Sequence, residues 1–320
     1  MKIISFLIFL LIGFTVFSQT ERSIIFYNVE NLFDTIDDPK KDDSEFLPAS
    51  ANKWNSEKYF EKLNHINKVI DSINTPPLII GLVEIENATV VRDIVKHSAK
   101  MKNSYGVVHY DSPDERGIDV AMIYDSSTLK LIESGFIRYS LPDTAYSHTR
   151  DIVWAKYKKG KEIIYAMVNH WPSRRSGEKE SEGNRIIAAT AARKFIDSLM
   201  LKDPNVKIVF MGDLNDHPED KAPKIIYEKL TQMIYPKSGY FGGSYCYKNQ
   251  WEVLDHVMVS PAFITKKKIK VLKDSGKIYS FDFLITEYKG AKVPFRTYGS
   301  KEYLAGYSDH LPVSITVVIP

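Results

Sequence analysis

A mostly apolar run, Val206-Lys207-Ile208-Val209-Phe210, leads directly into Met211-Gly212-Asp213-Leu214-Asn215-Asp216. The run reads as a buried strand, and a strand that stops on Asp, Asn and Asp aims three polar side chains at one point beyond the sheet edge. Carboxylates buried there cost free energy unless a cation or a hydrogen-bond donor meets them. The pattern recurs along the chain. Val253-Leu254-Asp255-His256-Val257-Met258-Val259 sets an acid and an imidazole inside a second apolar strand, and Tyr307-Ser308-Asp309-His310-Leu311-Pro312-Val313 does so ahead of the last one. Near the start, Ile24-Ile25-Phe26-Tyr27 releases Asn28 and Glu30, and Leu78-Ile79-Ile80-Gly81-Leu82-Val83 releases Glu84. Five strands therefore end or pause on residues that handle metals and protons, and a fold that carries them has to bring those ends to one rim.

The rest of the chain supplies few helices. Asn55 or Ser56 can cap a helix over 57–73, whose Tyr59, Leu63, Ile66, Ile70 and Ile73 recur at spacings of four and three and so share one face. A weaker helix is expected over 88–99 and a clear one over 184–199, with Ala188, Ala191, Ala192, Phe195 and Leu199 on one side. Short strands are expected at 106–110, 118–124, 151–157 and 162–169, and mostly strand and loop after Met211. The stretch 34–51, rich in Asp, Lys, Pro and Ser, reads as an exposed loop, as does the mixed-charge stretch 173–185. Many strands with few helices exclude a regular βαβ alternation. The expected fold is α/β: two mixed β-sheets packed face to face with helices on the outer faces.

Met1-Lys2 is followed by an uncharged apolar run from Ile3 to Phe17 and then Ser18-Gln19-Thr20. This reads as a secretory signal peptide over 1–19. The run is shorter than the ~20 residues of a spanning helix, and no Cys follows it to carry a lipid, so no stable membrane anchor is expected. The remaining domain, 20–320, would be secreted or periplasmic. Cys246 is the single cysteine, so no intrachain disulfide supports the fold. Formal charge is +3, too small to imply nucleic-acid binding by bulk charge.

Taken in order, Asn28-Val29-Glu30, Leu82-Val83-Glu84, Asn169-His170-Trp171-Pro172, Gly212-Asp213-Leu214-Asn215, Leu254-Asp255-His256 and Ser308-Asp309-His310 resemble the motifs of the endonuclease/exonuclease/phosphatase superfamily. The resemblance spans nearly all of the mature chain and implies the same four-layered α/β sandwich. It implies that Glu84 is the metal-binding glutamate, with Glu30 and Asp309 beside it. Glu30 stands where other members carry Asp or another acid, and Glu86, two residues beyond Glu84, is an alternative ligand. An all-oxygen donor set suits a hard divalent cation, so Mg²⁺ is expected, with Mn²⁺ as a substitute. The resemblance assigns Asp213 to orienting the attacking water and Asn215 to hydrogen-bonding the phosphate. It assigns Asn28 to orienting the carboxylate, His170 to a phosphate oxygen, and Asp255 with His310 to a charged pair that stabilises the transition state. Trp171, Arg174 and Arg175, next to His170, are candidate substrate contacts. Tyr245, Tyr247 and Trp251 can stack on a base, but aromatics at strand spacing more often belong to a core, the reading preferred here. His256 and the lysines at 266–268 and 270 read as structural and solvated, respectively.

The expected activity is hydrolysis of phosphodiester bonds in nucleic acid by a monomer that needs no protein partner. A phosphodiesterase or phosphatase acting on a lipid headgroup or a small phosphate ester shares the same core. A binding module without catalysis would have lost motif residues, and every motif here holds a competent side chain.

Overall fold

The first strand, Thr20–Leu32, has a partner on each edge. It runs antiparallel to Val313–Ile319, with Ile24 opposite Ile315, and parallel to Pro77–Ile85, with Tyr27 opposite Leu82. Pro77–Ile85 then pairs with Asp119–Asp125, which pairs with Tyr105–His109. Lys270–Val271 and Lys277–Ile278 extend the other edge. A second sheet runs in the order Lys130–Ile137, Ile152–Lys159, Glu162–His170, Lys207–Asp213, Asp255–Val259, Thr231–Gln232. Both sheets mix parallel and antiparallel pairs. This computed structural model describes residues 19–142, 148–175, 177–266, 268–299 and 302–320. All of the expected leader but Gln19 falls outside them.

The two sheets face one another across a single apolar core. Ile24, Phe26, Ile79 and Val83 from the first face Val168, Val209, Met211 and Val257 from the second. The approach is closest at Gly81, where an added Cβ would lie 2.8 Å from Met211 Sδ and 2.9 Å from Val168 Cγ2. The helix Ser56–Ser72, capped by Asn55, and the helix Ala88–His97, capped by Asn87, pack Leu63, Ile66, Val69, Val90 and Ile94 into this core from the outside. A separate cluster joins Ala188, Ala192 and Ile196 of the helix Glu178–Lys202 to Ile208 and Phe210 of the second sheet. The result is the four-layered sandwich that the sequence led us to expect. Among the described residues, no helix is long and apolar enough to cross a membrane.

Two local expectations need correction. The third helix begins at Glu178, so half of the stretch read as an exposed loop is helical, and Arg185 is buried within it. A short helix, Lys221–Tyr227, also follows Asp213 in a region expected to be mostly strand and loop.

Candidate active site

Four strand ends converge on Asp213. Its strand pairs with the one that delivers His170, at the register His170 opposite Asp213, and with the one that delivers Asp255, at the register Asp255 opposite Asp213. Gly212 permits the close fit, because a Cβ there would lie 2.5 Å from the Asn169 carbonyl oxygen. From the facing sheet, the Asn28 side-chain amide donates to Asp213 Oδ2 (3.1 Å) and to Glu84 Oε1 (3.2 Å), so one side chain fixes both carboxylates. The Asn215 backbone N–H donates to Asp213 Oδ1 at 3.0 Å. Glu30, Asn31, Glu84 and Asn215 all adopt left-handed backbone conformations, with φ of 52°, 59°, 61° and 51°. This region costs an L-residue about 1–2 kcal/mol. At Glu84 the turn produces the register shift between Val83 and Ile85 and frees the side chain from the ladder.

Two imidazoles flank the Asp213 carboxylate. His310 Nε2 lies 3.7 Å from Asp213 Oδ2, and its Nδ1–H donates to Asp255 Oδ2 at 2.8 Å. Burial opposes a charge on this ring, but Asp255 and Asp213 outweigh it and hold its pKa well above the usual histidine range. His170 Nε2 lies 3.7 Å from Asp213 Oδ2 and 3.8 Å from Glu84 Oε1. Burial, reinforced by Arg150 and Arg116, keeps His170 well below that range and therefore neutral. Burial pushes the Asp213 carboxyl up to about 7, against the pull of His310. The site thus holds a carboxylate between one charged and one neutral imidazole. Such an arrangement can orient a water, take its proton, and face developing negative charge with a fixed positive one.

The second acid pair is held differently. Glu30 Oε1 accepts from Arg296 Nε at 3.0 Å, and Oε2 accepts from the Thr297 backbone N–H at 2.5 Å. Arg296 Nη2 also reaches Asp309 Oδ2 at 3.1 Å. Behind them the fully buried Lys62 donates to Thr297 Oγ1 and to the Tyr307 carbonyl oxygen, the latter at 2.6 Å. Burial and Asp309 raise Glu30 to about 7, and burial lowers Lys62 to about 8. Neither Arg296 nor Lys62 belongs to a recognisable motif. Lys62 still had a signal: it sits three residues after Tyr59 and four before Ile66, on the apolar face of its helix.

The donor set at Glu84 fits a hard divalent cation. Its carboxylate is partly exposed, at 19%, and Asn28 engages only Oε1. Carboxylate oxygens of this kind suit a hard divalent cation better than a softer metal. Glu30, expected as a further ligand, has both oxygens taken by the protein. Glu86 accepts from the Asp34 backbone N–H at 2.7 Å and is raised by burial to about 8, so it secures the 34–51 loop.

The candidate substrate contacts separate. A cavity of about 710 Å³ opens beside the site, and Arg116, His148, Arg150, Arg175, Tyr245 and Asp309 contribute to its wall. Arg175 therefore lies where a phosphate contact was expected. Arg174 instead pairs with Glu252. The Trp171 side chain has no exposed surface and packs on Phe210. Only its carbonyl serves the site, accepting from Arg150 Nη2 at 2.8 Å and Asn215 Nδ2 at 3.2 Å. Asn215 is consequently braced by this carbonyl as well as placed near Asp213. Arg185 pairs with buried Asp216. Tyr245 packs on His310 with ring centroids 4.7 Å apart, Trp251 stacks on Phe241, and Tyr247 is exposed at a hairpin tip. His256 is fully buried, accepts from Tyr227 Oη at 2.9 Å and donates to the Asp216 carbonyl at 3.0 Å, a structural role as expected.

Comparison with solved structures finds the same fold at low identity. An endonuclease/exonuclease/phosphatase family protein from Bacteroides thetaiotaomicron is 13% identical, with 95% of this chain and 96% of that one covered and a TM-score of 0.59. A mannosyl-6-phosphatase from the same organism is 14% identical, with 93% and 100% covered and a TM-score of 0.60. TDP2 from D. rerio, complexed with a single-strand DNA product, is 15% identical, with 93% and 98% covered and a TM-score of 0.56. No curated protein matches the sequence. The family model described as "Endonuclease/Exonuclease/phosphatase family" matches residues 23–318, and the chain belongs to that family.

Proposed function

We propose that this chain is an exported, metal-dependent phosphodiesterase that hydrolyses nucleic acid. The observation that carries the reading is the Asp213 carboxylate held between a charged His310 and a neutral His170. Asp213 orients a water and receives its proton. His310, anchored by Asp255, faces the charge that grows on the phosphoryl oxygens, and His170 Nε2 and the Asn215 amide orient the same group. Glu84, with Asp309, would hold Mg²⁺ (or Mn²⁺), and the ion would supply Lewis-acid polarisation of the phosphoryl group. Because water is the nucleophile, no covalent intermediate on the protein is required.

Arg175, on a wall where Arg116 and Arg150 are already paired with Asp114, supports a substrate with negative charge beyond the scissile group. A TDP2 relative holds a single-strand DNA product on the same fold. The limited volume of the cavity, about 710 Å³, favours a second reading, a phosphatase for a small ester such as a sugar phosphate, which is what another relative's name describes. Export is supported by the apolar run behind Lys2. Cleavage near Thr20 leaves the fold intact, since the first strand starts there. The mass of exported protein should correspond to a start near Thr20.

A panel of single-stranded DNA, duplex DNA, RNA, sphingomyelin, a chromogenic diester and a hexose phosphate, each with Mg²⁺ and with chelator, tests the reading. Oligonucleotide cleavage that requires the metal is expected. Turnover confined to the hexose phosphate would transfer the assignment to the second reading, and turnover of sphingomyelin alone would overturn both.

A further inference from the structure

The acids of the site divide into two groups with different charge balance. Glu30 and Asp309 meet two cations, Arg296 in direct contact and Lys62 behind it. Among the described residues no Lys or Arg pairs with Glu84, Asp213 or Asp255, whose neighbours are the imidazoles of His310 and His170. The uncompensated negative charge therefore lies on the Glu84 side.

Arg296 is held where it is from three directions. Its Nε and Nη2 both reach Glu30 Oε1, at 3.0 and 2.9 Å, while Nη2 also reaches Asp309. The next residue, Thr297, is fixed through its backbone N–H by Glu30 and through its hydroxyl by Lys62. Ser308 Oγ donates to the Asn28 carbonyl at 2.7 Å and fixes the residue before Asp309. A guanidinium bridging two carboxylates satisfies both charge and hydrogen bonding, as a divalent ion would.

We propose that Arg296 stands in for a second metal ion: the chain binds one divalent cation, at Glu84, and Glu30 is a positioning residue that holds Arg296 between itself and Asp309. The inference rests on the metal-dependent reading above and adds to it the number of ions and the division of labour among the acids. Buried Glu30 and the half-buried Asp309 beside it lose their shared cation when the guanidinium is removed, so removing Arg296 opens a second metal site.

Counting bound Mn²⁺ by electron paramagnetic resonance on the full chain tests this without any measurement of turnover. Wild-type protein should bind one ion, Arg296→Met two, and Arg296→Lys one. A wild-type count of two overturns the proposal, as does a single ion in Arg296→Met whatever its affinity. If Arg296→Met does not fold, Glu30→Gln decides: it should keep the one ion at wild-type affinity, whereas Glu84→Gln should lose it. Loss of the ion in Glu30→Gln overturns the proposal. A wild-type count of zero would instead remove the metal-dependent reading itself, and this inference with it.

Discussion

The two sides of the catalytic cleft bury acids by different means. Around Asp213 the compensating charge is carried by His310, a group that can release its proton. Around Glu30 it is carried by Arg296 and Lys62. A guanidinium stays charged at any pH of interest, and Lys62, lowered to about 8 by burial, is anchored to a backbone carbonyl. The first side is arranged to move protons and respond to charge, and the second to keep a segment in place. Burial alone would have neutralised the acids on either side. What differs is whether the partner is part of the reaction or part of the frame.

The largest effect should come from the proton-handling side. His310→Ala should lower the hydrolysis rate by ~10²–10³, the scale of one lost stabilising donor, while calorimetric Mg²⁺ titration stays nearly unchanged. Asp255→Asn should reproduce part of that loss, and the double variant should be little worse than the worse single one because the pair acts as a unit. Strict additivity would break the comparison. Asn28 joins Glu84 to Asp213, so Asn28→Ala should weaken Mg²⁺ binding by ~10–100-fold, as expected for a residue that orients a ligand from behind. Unchanged affinity would show that Glu84 needs no such support.

On the framing side, Lys62→Met leaves the Tyr307 carbonyl and the Thr297 hydroxyl with only their 3.3 Å bond to each other and should cost ~1–3 kcal/mol of stability in denaturant titration. An equally stable variant would deny that side its structural role. The smallest effect concerns His256, a buried imidazole next to Asp255 that takes no part in the chemistry. Burial, partly opposed by the hydrogen bond to the Asp216 carbonyl, lowers its pKa to about 4, whereas an unfolded histidine titrates near 6.5, about the reference value. As pH falls the unfolded chain takes up the proton first. The stability due to neutral His256 is thus complete above about pH 6.5 and is lost between about 6.5 and 4, at no more than about 1.4 kcal/mol per pH unit. His256→Gln should lose less stability than wild type between pH 7 and pH 5, and equal losses would assign that acid sensitivity to other groups.

Much of this was visible in the residue order because apolar strands ending on polar triplets leave few ways to satisfy those ends. The strands carrying Asn28, Glu84, His170, Asp213 and Asp255 and the pairing of His310 with Asp255 followed from that pattern and from the family resemblance. What stayed hidden depended on contacts distant in sequence. Arg296 meets Glu30 across 266 positions, and nothing local marks it. Arg174 looked like a phosphate ligand from its place beside His170, but Glu252 claims it. Trp171 looked like a contact surface, but the helix Glu178–Lys202 and Phe210 enclose it. The start of that helix was missed because Glu178 to Gly183 carries no apolar period, its one inward charge being Arg185 on Asp216.

The left-handed residues sort into two kinds for anyone engineering a hardier version of this enzyme. At the hairpin tips, Lys248 and Lys289 have φ of 47° and 50°, and glycine there would relieve conformational energy at the loss of one surface cation–π contact each, to Tyr247 and Tyr288. Glu30, Glu84 and Asn215 carry the same kind of strain, yet each points its side chain where only that backbone turn can put it. A screen that rewarded heat resistance alone would accept glycine at all five positions and discard the enzyme at three of them. Some of the fold's slack is therefore unavailable to stabilisation, because it is the form in which activity is stored.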